Sequence, residues 1–528
     1  MRFNRGMAGD NELEGVDLAR GLPRRVHLLG LGGAGVSGAA RILAARGHIV
    51  SGHDRAESEL LRALAATGTV TITVGVSSAE DLPPDTALVA RSAAVPDDDP
   101  QVERARERGL PVMKYAELLG RLAPRGTGLA VAGTHGKTTT SWMLWHALDE
   151  LAEAGYGRLG EQRPGALVGG LNPLLPGGAL GANAVPGEMR GWFAMEACEY
   201  DRSFLELAPF GAVVTNVEAD HLDYYGDLGA IEVAFGDFLA RVDPAGLVVL
   251  GAGVPVHVEA RAKADVWCLG RELLLVDEGP VDGFRRFQLS GPGWVTPPVH
   301  LKVPGAYNVE NAALALGLAI GLGTRGIEHV EWPRVAAIAA AGVETFIGAA
   351  RRFESWGGVG GSADGVSDAP AVAVVHDYAH HPTELAALLG ATREAFPGRR
   401  LHVLFQPHQQ SRTARLLDDF ADTLAPTSGD TTAAFADALV VAPVYGARRH
   451  IDGAHAAGAP ELAAAVRARG GAGVSADTLL GAVETFVTGL PSGVPVVALV
   501  VGAGDVEDVR LELLARLSFR FDARPVPQ

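Results

Sequence analysis

Two glycine-rich loops, each leaving an apolar run and entering a helix-like one, constrain this chain most. In the first, Val26-His27-Leu28-Leu29 leads into Gly30-Leu31-Gly32-Gly33-Ala34-Gly35-Val36-Ser37-Gly38 and on to Ala39-Ala40-Arg41-Ile42-Leu43. In the second, the small apolar residues 128–132 lead into Gly133-Thr134-His135-Gly136-Lys137-Thr138-Thr139-Thr140, and an amphipathic helix is predicted over 141–151. Strand, glycine turn and helix form the unit of open α/β sheets, and the helix N-terminus so created suits an anion.

The same alternation continues along the chain. A second strand over 49–52 ends at Asp54, about where a dinucleotide fold places its ribose-binding acid. A helix over 59–66 and strands over 70–74 and 87–91 complete a domain ending near 122. The Gly-, Pro- and Ala-rich stretch 155–191 predicts short elements joined by loops, and strands over 192–195 and 211–215 each run into polar residues. Helices over 311–322 and 334–341 precede Arg351-Arg352-Phe353, where a boundary falls. Beyond it, 357–368 reads as a glycine-rich hairpin tip or loop, and 371–376, 401–406, 438–443 and 496–501 read as four apolar strands. A length of 528 residues predicts about three domains at roughly 150 residues each. The expected division is a polar tail 1–24, then α/β domains over 25–122, 123–345 and 346–528.

Composition narrows the functional classes. No run reaches the roughly 18 uninterrupted apolar residues of a membrane span, and the polar start matches neither a secretory signal nor an anchor. Two cysteines, Cys198 and Cys268, leave no disulfide framework or cysteine metal cluster, so a reducing cytoplasm is expected. A balance of 45 Lys and Arg against 62 Asp and Glu, −17 in all, is the wrong sign for general nucleic-acid binding. Lysine is scarce (Lys114, Lys137, Lys263 and Lys302 only), so a lysine inside a glycine-threonine loop is poor surface decoration.

The first loop fits G-x-G-x-x-G through Gly30, Gly32 and Gly35, and its geometry admits either a dinucleotide or the diphosphate of a nucleotide sugar. The second is shorter than an ordinary P-loop, with only Thr134 and His135 between Gly133 and Gly136. Its amides can surround a triphosphate, Lys137 can neutralise it, and the Thr138 hydroxyl can reach Mg2+. Glu196-Ala197-Cys198-Glu199 and Asn216-Val217-Glu218-Ala219-Asp220-His221 stand at what read as neighbouring strand exits, and Glu196 and His221 are the candidate metal ligands. Cys198 reads as a packed thiol, with no base beside it in sequence. Two further polar clusters, His376-Asp377-Tyr378-Ala379-His380-His381-Pro382-Thr383-Glu384 and Phe405-Gln406-Pro407-His408-Gln409-Gln410-Ser411-Arg412-Thr413, follow strands expected to be adjacent. His380 and His381 lack zinc-ligand spacing, so substrate or nucleotide contacts are expected.

Taken in order, these segments, with 305–312 and Arg351-Arg352-Phe353, resemble the Mur ligase family over nearly the whole chain. Gly-Thr-x-Gly-Lys-Thr-Thr is specific to that class, and the Gly-Gly-Ala-Gly start and Phe-Gln-Pro-His stretch resemble its alanine-adding branch. The resemblance implies an N-terminal Rossmann-like domain holding UDP, a central P-loop-type ATPase domain and a C-terminal Rossmann-like domain closing on the substrates. It implies ATP-driven joining of L-alanine to UDP-N-acetylmuramate through an acyl phosphate. By motif, Gly32, Gly33, Ala34, Gly35, Ser37 and Asp54 then surround UDP. Gly133, Thr134, His135, Gly136, Lys137, Thr138 and Thr139 hold the ATP phosphates, Thr138, Glu196 and His221 hold Mg2+, and Asn308 and Asp377 touch the nucleotide. Arg352 serves the phosphates, while Tyr378, His380 and Arg412 lie near the amino acid or its carboxylate. Some relatives use a carbamylated lysine for a second magnesium, but no lysine lies between Lys137 and Lys263. Two positions depart from the pattern, both bearing on amino-acid specificity: Gln409 stands where some relatives have arginine, and Tyr307 replaces a common histidine. A monomer or weak homodimer is expected.

Three other readings compete. A ligase recycling a preformed peptide onto UDP-N-acetylmuramate shares the phosphate loop but fits Phe-Gln-Pro-His-x-x-x-Arg-Thr less well. An NAD-dependent oxidoreductase explains only the first loop. A UDP-sugar sensor predicts a damaged ATP centre, whereas Lys137, Thr138, Glu196 and His221 are all present.

Overall fold

The structure is a computed structural model describing residues 21–123, 126–156, 162–176, 181–281, 283–323, 330–360, 371–426, 435–446 and 457–521. Residues 1–20 of the polar tail and 361–368 of the glycine-rich stretch lie outside the described residues. The chain divides into two compact units. The first comprises Met1–Leu274, Ser290–Thr296 and Ala312–Val343, and the second Leu275–Leu289, Pro297–Asn311 and Glu344–Gln528.

The first unit contains two sheets. Strands β1 (Arg25–Leu29), β2 (Ile49–Asp54), β3 (Val70–Val74), β4 (Leu88–Arg91) and β5 (Val112–Lys114) form an all-parallel sheet in the order β3-β2-β1-β4-β5. The order reverses around β1, so the first glycine loop leaves the sheet at its switch point, where open α/β sheets bind ligands. The helix Ala34–Ala45 lays Ala39, Ala40, Ile42 and Leu43 into the core. It also packs on the second sheet, where a Cβ on Gly38 would come within 2.4 Å of Leu167.

That second sheet holds β6 (Gly128–Ala132), β7 (Gly165–Asn172), β8 (Ala182–Val185), β9 (Phe193–Glu196), β10 (Gly211–Val214), β11 (Leu247–Leu250) and β12 (Asp265–Cys268). Its order is β12-β11-β10-β6-β9-β7-β8, parallel except for β8 against β7. The exits carrying Glu196 and His221 are therefore not neighbours: β6 runs between β9 and β10 and delivers the phosphate loop between them. Burial of β6 on both sides explains its run of small apolar residues. The helix after the loop spans Lys137–Glu153, four residues earlier than sequence periodicity predicts, and it is buried nearly all round rather than amphipathic. The helix Trp332–Thr345 covers its outer side, since a Cβ on Gly342 would come within 2.5 Å of the His146 carbonyl.

Residues 274–301 form an antiparallel sheet that the sequence reading passed over, with β13 (Leu274–Val281), β14 (Phe284–Gly291) and β15 (Trp294–Val295) in order and β16 (Val299–Leu301) also on β14. In the second unit, β17 (Glu354–Val359), β18 (Val372–Asp377), β19 (Arg400–Gln406), β20 (Ala438–Val441), β21 (Gly473–Ser475) and β22 (Val496–Gly502) run in the order β17-β18-β22-β19-β20-β21. Only β17 is antiparallel to its neighbour. Two expectations change here. Gly357 belongs to β17 rather than to a loop, at a bulge between Ser355 and Gly357. The two polar clusters leave β18 and β19, which are separated by β22. Among the described residues no helix is long and apolar enough to cross a membrane.

Candidate active site

In the first unit the loop after β6 turns back at Gly133 and Gly136, whose φ of 138° and 82° lie in the left-handed region. A Cβ on Gly133 would stand 1.9 Å from Thr215 Oγ1, so only glycine fits. The loop is held from β10's exit. Thr134 N–H donates to the Asn216 carbonyl at 3.1 Å, His135 N–H to Asn216 Oδ1 at 2.8 Å, and Thr215 Oγ1 to the His135 carbonyl at 2.5 Å. Glu218 N–H donates to Thr134 Oγ1 at 2.9 Å. Gly136 is the N-cap of the following helix and provides no side-chain cap hydrogen bond. The first-turn amides give the positive end of the helix dipole its anion-binding character.

Lys137 folds back over this loop. Its Nζ donates to the Gly133 carbonyl at 2.6 Å, the Thr134 carbonyl at 2.9 Å and Glu199 Oε1 at 3.1 Å, with Glu199 Oε2 2.9 Å away as an ion-pair partner. Burial, the largest single influence, pushes its pKa down, but the charge and hydrogen bond of Glu199 together with the nearby Cys198 and Glu196 leave the ammonium held above its ordinary range. Thr138 Oγ1 donates to Glu196 Oε2 at 2.8 Å, and Gly169 N–H donates to the same oxygen at 2.9 Å. His221, with a left-handed φ of 52°, places Nε2 3.9 Å from Glu199 Oε1 and 3.8 Å from Asp220 Oδ2. Sequence reasoning grouped Lys137, Thr138, Glu196 and His221; Thr138 and Glu196 are in contact, His221 lies beside Glu199 and Asp220, and Glu199, Thr215 and Asn216 were not singled out. Glu199 and Asn216 lie in the quoted strand-exit stretches, and Thr215 is the residue just before the second of them. Cys198 is exposed rather than packed, because the chain alternates there between buried Ala197 and buried Glu199.

At the first glycine loop, the helix Ala34–Ala45 begins at Gly33 with no side-chain cap. Gly32 N–H donates to Asp54 Oδ2 at 2.7 Å, so the acid that sequence spacing assigns to a ribose grips the loop itself. Gly35 lies under Tyr115, whose Cζ would be 2.6 Å from a Cβ at that position. Ser37 N–H donates to the Gly33 carbonyl and its hydroxyl to the Ala34 carbonyl, which places Ser37 in the helix's first turns.

In the second unit Asp377 is a loop clamp. Oδ2 accepts from Phe353 N–H at 2.7 Å and Oδ1 from Ala379 N–H at 2.8 Å. Burial pushes its carboxyl up to about 6, against the opposing Arg352 charge and those two amides. Arg351 and Phe353 adopt left-handed φ of 65° and 48°, so Asp377 fixes a strained turn that presents Arg352. Arg352 stands 3.6 Å from Glu384 and over the Tyr378 ring, 5.4 Å from its centre. His380 donates from Nδ1 to the Tyr378 carbonyl at 3.0 Å, and its N–H donates to Glu384 at 3.0 Å. The helix Ala306–Gly323 starts earlier than predicted and carries Asn308, which is buried and donates to the Pro304 carbonyl at 2.7 Å. Burial pushes the Tyr307 phenol up, and Asp377 and Arg352 are among the charges it feels. Arg412 is buried in the short helix Gln410–Arg415. Gln406 ties β19 to the chain beyond β22, donating to Asp505 at 2.6 Å and accepting from Val506 N–H at 3.0 Å.

Known proteins share the sequence pattern and fold of this chain. The chain matches three family descriptions in order: Mur ligase family, catalytic domain, over residues 25–127; Mur ligase middle domain over 131–319; and Mur ligase, glutamate ligase domain, over 363–503. A UDP-N-acetylmuramate–L-alanine ligase from Xanthomonas oryzae pv. oryzae is 37% identical over 509 residues, 93% of this chain and 94% of the relative. The chain belongs to the Mur ligase family. Among solved Mur ligases, UDP-N-acetylmuramate-alanine ligase MurC from Thermotoga maritima superposes with a TM-score of 0.69 at 25% identity, covering 94% of this chain and 99% of that one. A murein peptide ligase from Psychrobacter arcticus shares the fold, with a TM-score of 0.62 at 21% identity over 94% of this chain and 99% of that one. The three-domain α/β class expected of a Mur ligase from the sequence is thus the class observed.

Proposed function

We propose that this chain is an ATP-dependent ligase that joins L-alanine to the lactyl carboxylate of UDP-N-acetylmuramate in peptidoglycan assembly. One observation carries the chemistry: Lys137, Thr138 and Glu196 converge at an uncapped helix N-terminus, in a chain 37% identical to a ligase of that name. A carboxylate is a poor electrophile until one of its oxygens becomes a leaving group. Here a lactyl oxygen attacks the γ-phosphorus of ATP, the bond from phosphorus to the bridging oxygen breaks, and ADP leaves. The neutral amine of alanine then attacks the acyl carbon, phosphate departs with the activated oxygen, and the amine's extra proton passes to water.

Lys137 and the amides of 133–139 neutralise charge on the transferring phosphoryl group, which is most of what such a reaction asks of a protein. Thr138 and Glu196, a hydroxyl and a carboxylate 2.8 Å apart, are hard oxygen donors that fit magnesium, with His221 assigned to the same set. When bound, magnesium supplies further positive charge at the phosphates. Asn308 and Asp377 are assigned to the nucleotide, Arg352 to its phosphates, and Tyr378, His380 and Arg412 to the amino acid and its carboxylate. Gly32, Gly33, Ala34, Gly35 and Ser37 receive UDP, with Asp54 shaping their loop. The working domain limits are 25–122, 123–345 and 346–528, and a cytoplasmic monomer or weak homodimer is the form expected.

Lys137→Ala tests the reading. Ligation should be lost while UDP binding persists, and retained turnover in that variant would contradict the assignment.

A further inference from the structure

We propose that Glu199 is a positioning residue that competes with nucleotide phosphate for the Lys137 ammonium and so sets how tightly nucleotide is held. The inference rests on the reading of 133–139 as the ATP phosphate loop. An ammonium has three N–H donors. Those of Lys137 meet three acceptors: the Gly133 carbonyl at 2.6 Å, the Thr134 carbonyl at 2.9 Å and the Glu199 carboxylate, with Oε2 at 2.9 Å and Oε1 at 3.1 Å. A phosphate oxygen reaching Nζ must therefore displace one of them. The two carbonyls are neutral and belong to the loop itself. Glu199 is the charged member and is only 3% exposed, so solvent screens its attraction weakly.

The place of Glu199 is fixed from several sides. Tyr225 donates its hydroxyl to the Glu199 carbonyl, and His221 Nε2 stands 3.9 Å from Oε1. Asp201 and Arg202 follow, both at a left-handed φ of 54°, and Lys114 pairs with Asp201 at 2.7 Å. Glu196, three residues earlier, is directed elsewhere, with Oε2 accepting from Thr138 and Gly169. Two nearby carboxylates thus have separate tasks, one on the threonine hydroxyl and one on the lysine.

The test is calorimetric titration of the full chain with ADP in EDTA, which removes metal ligation from the comparison. Glu199→Gln and Glu199→Ala should bind ADP about tenfold tighter than wild type, because a larger fraction of molecules then has Lys137 available. Glu196→Gln should show no such gain, and adding Glu199→Gln to Lys137→Ala should change nothing. Unchanged or weaker ADP binding by folded Glu199→Gln would overturn the proposal, as would an equal gain on the Lys137→Ala background. Glu199→Gln keeps the size and an acceptor, so it decides the matter if Glu199→Ala melts early. Wild type that binds no ADP would overturn the phosphate-loop reading as well, whereas ligation by wild type with no shift in Glu199→Gln would overturn this inference alone.

Discussion

Thr138 Oγ1 and Glu196 Oε2 lie 2.8 Å apart, joining the first turn of a helix to the exit of the strand beside the phosphate-loop strand. The hydrogen bond orients the carboxylate, and Gly169 N–H at 2.9 Å holds it from a third strand. Replacing Glu196 by Gln keeps the shape and removes the charge. Turnover should fall by about 10²-fold or more, the usual scale for loss of one group that stabilises transition-state charge. Steady-state rates across a magnesium titration check this, and an unchanged metal dependence would remove Glu196 from the metal set.

Gly133→Ala puts a Cβ 1.9 Å from Thr215 Oγ1 at a φ of 138°. The loop must then move off β10's exit, where Asn216 and Thr215 hold it. ADP binding should be lost while UDP binding at the first glycine loop is kept. Calorimetry with each nucleotide separates the two effects.

Asp54→Ala removes the acceptor of Gly32 N–H. A hydrogen bond to a charged group contributes roughly 1.5–3 kcal/mol. KM for UDP-N-acetylmuramate should therefore rise about tenfold or more, with KM for ATP unchanged. Equal changes in both constants would point to general destabilisation instead.

Acid should weaken the first unit through His27. Burial holds its imidazole down to about 4 against an ordinary 6.5, with the hydrogen bond to Gln101 at 2.9 Å acting the other way. Because the folded value is the lower one, the unfolded chain binds the proton first. Stability is full above about pH 6.5, is lost as pH falls from there to about 4, and then levels off, for about 3 kcal/mol in total. Asp377 has the opposite sign: its carboxyl, raised to about 6 from 3.8, adds stability as pH falls through that window. Urea midpoints of wild type and His27→Gln at pH 7.5 and 4.5 isolate the histidine contribution, and the variant should lose less.

The chemistry of the site was largely legible in the sequence because it is local. Gly133, Gly136, Lys137 and Thr138 lie within one turn of backbone, and the strand exits at 196 and 216 announce themselves by a switch from apolar to polar residues. Strand order was not legible, since β6 and β22 slip between strands that sequence succession suggested were neighbours, and periodicity carries no information about lateral placement. The glycine-rich β17 and the largely exposed β13 lack the apolar signature of a strand. Asp54 and Asp377 show a further limit. An acid at a strand exit was readable, but the backbone amides of Gly32 and Phe353 that it grips were not.

The most direct measurement is phosphate release by the purified chain with ATP, magnesium and UDP-N-acetylmuramate, comparing L-alanine, glycine, L-serine and a tripeptide as acceptors. Release that requires both UDP-N-acetylmuramate and L-alanine is the predicted result. Release with the tripeptide alone, or with no acceptor supplied, would contradict it.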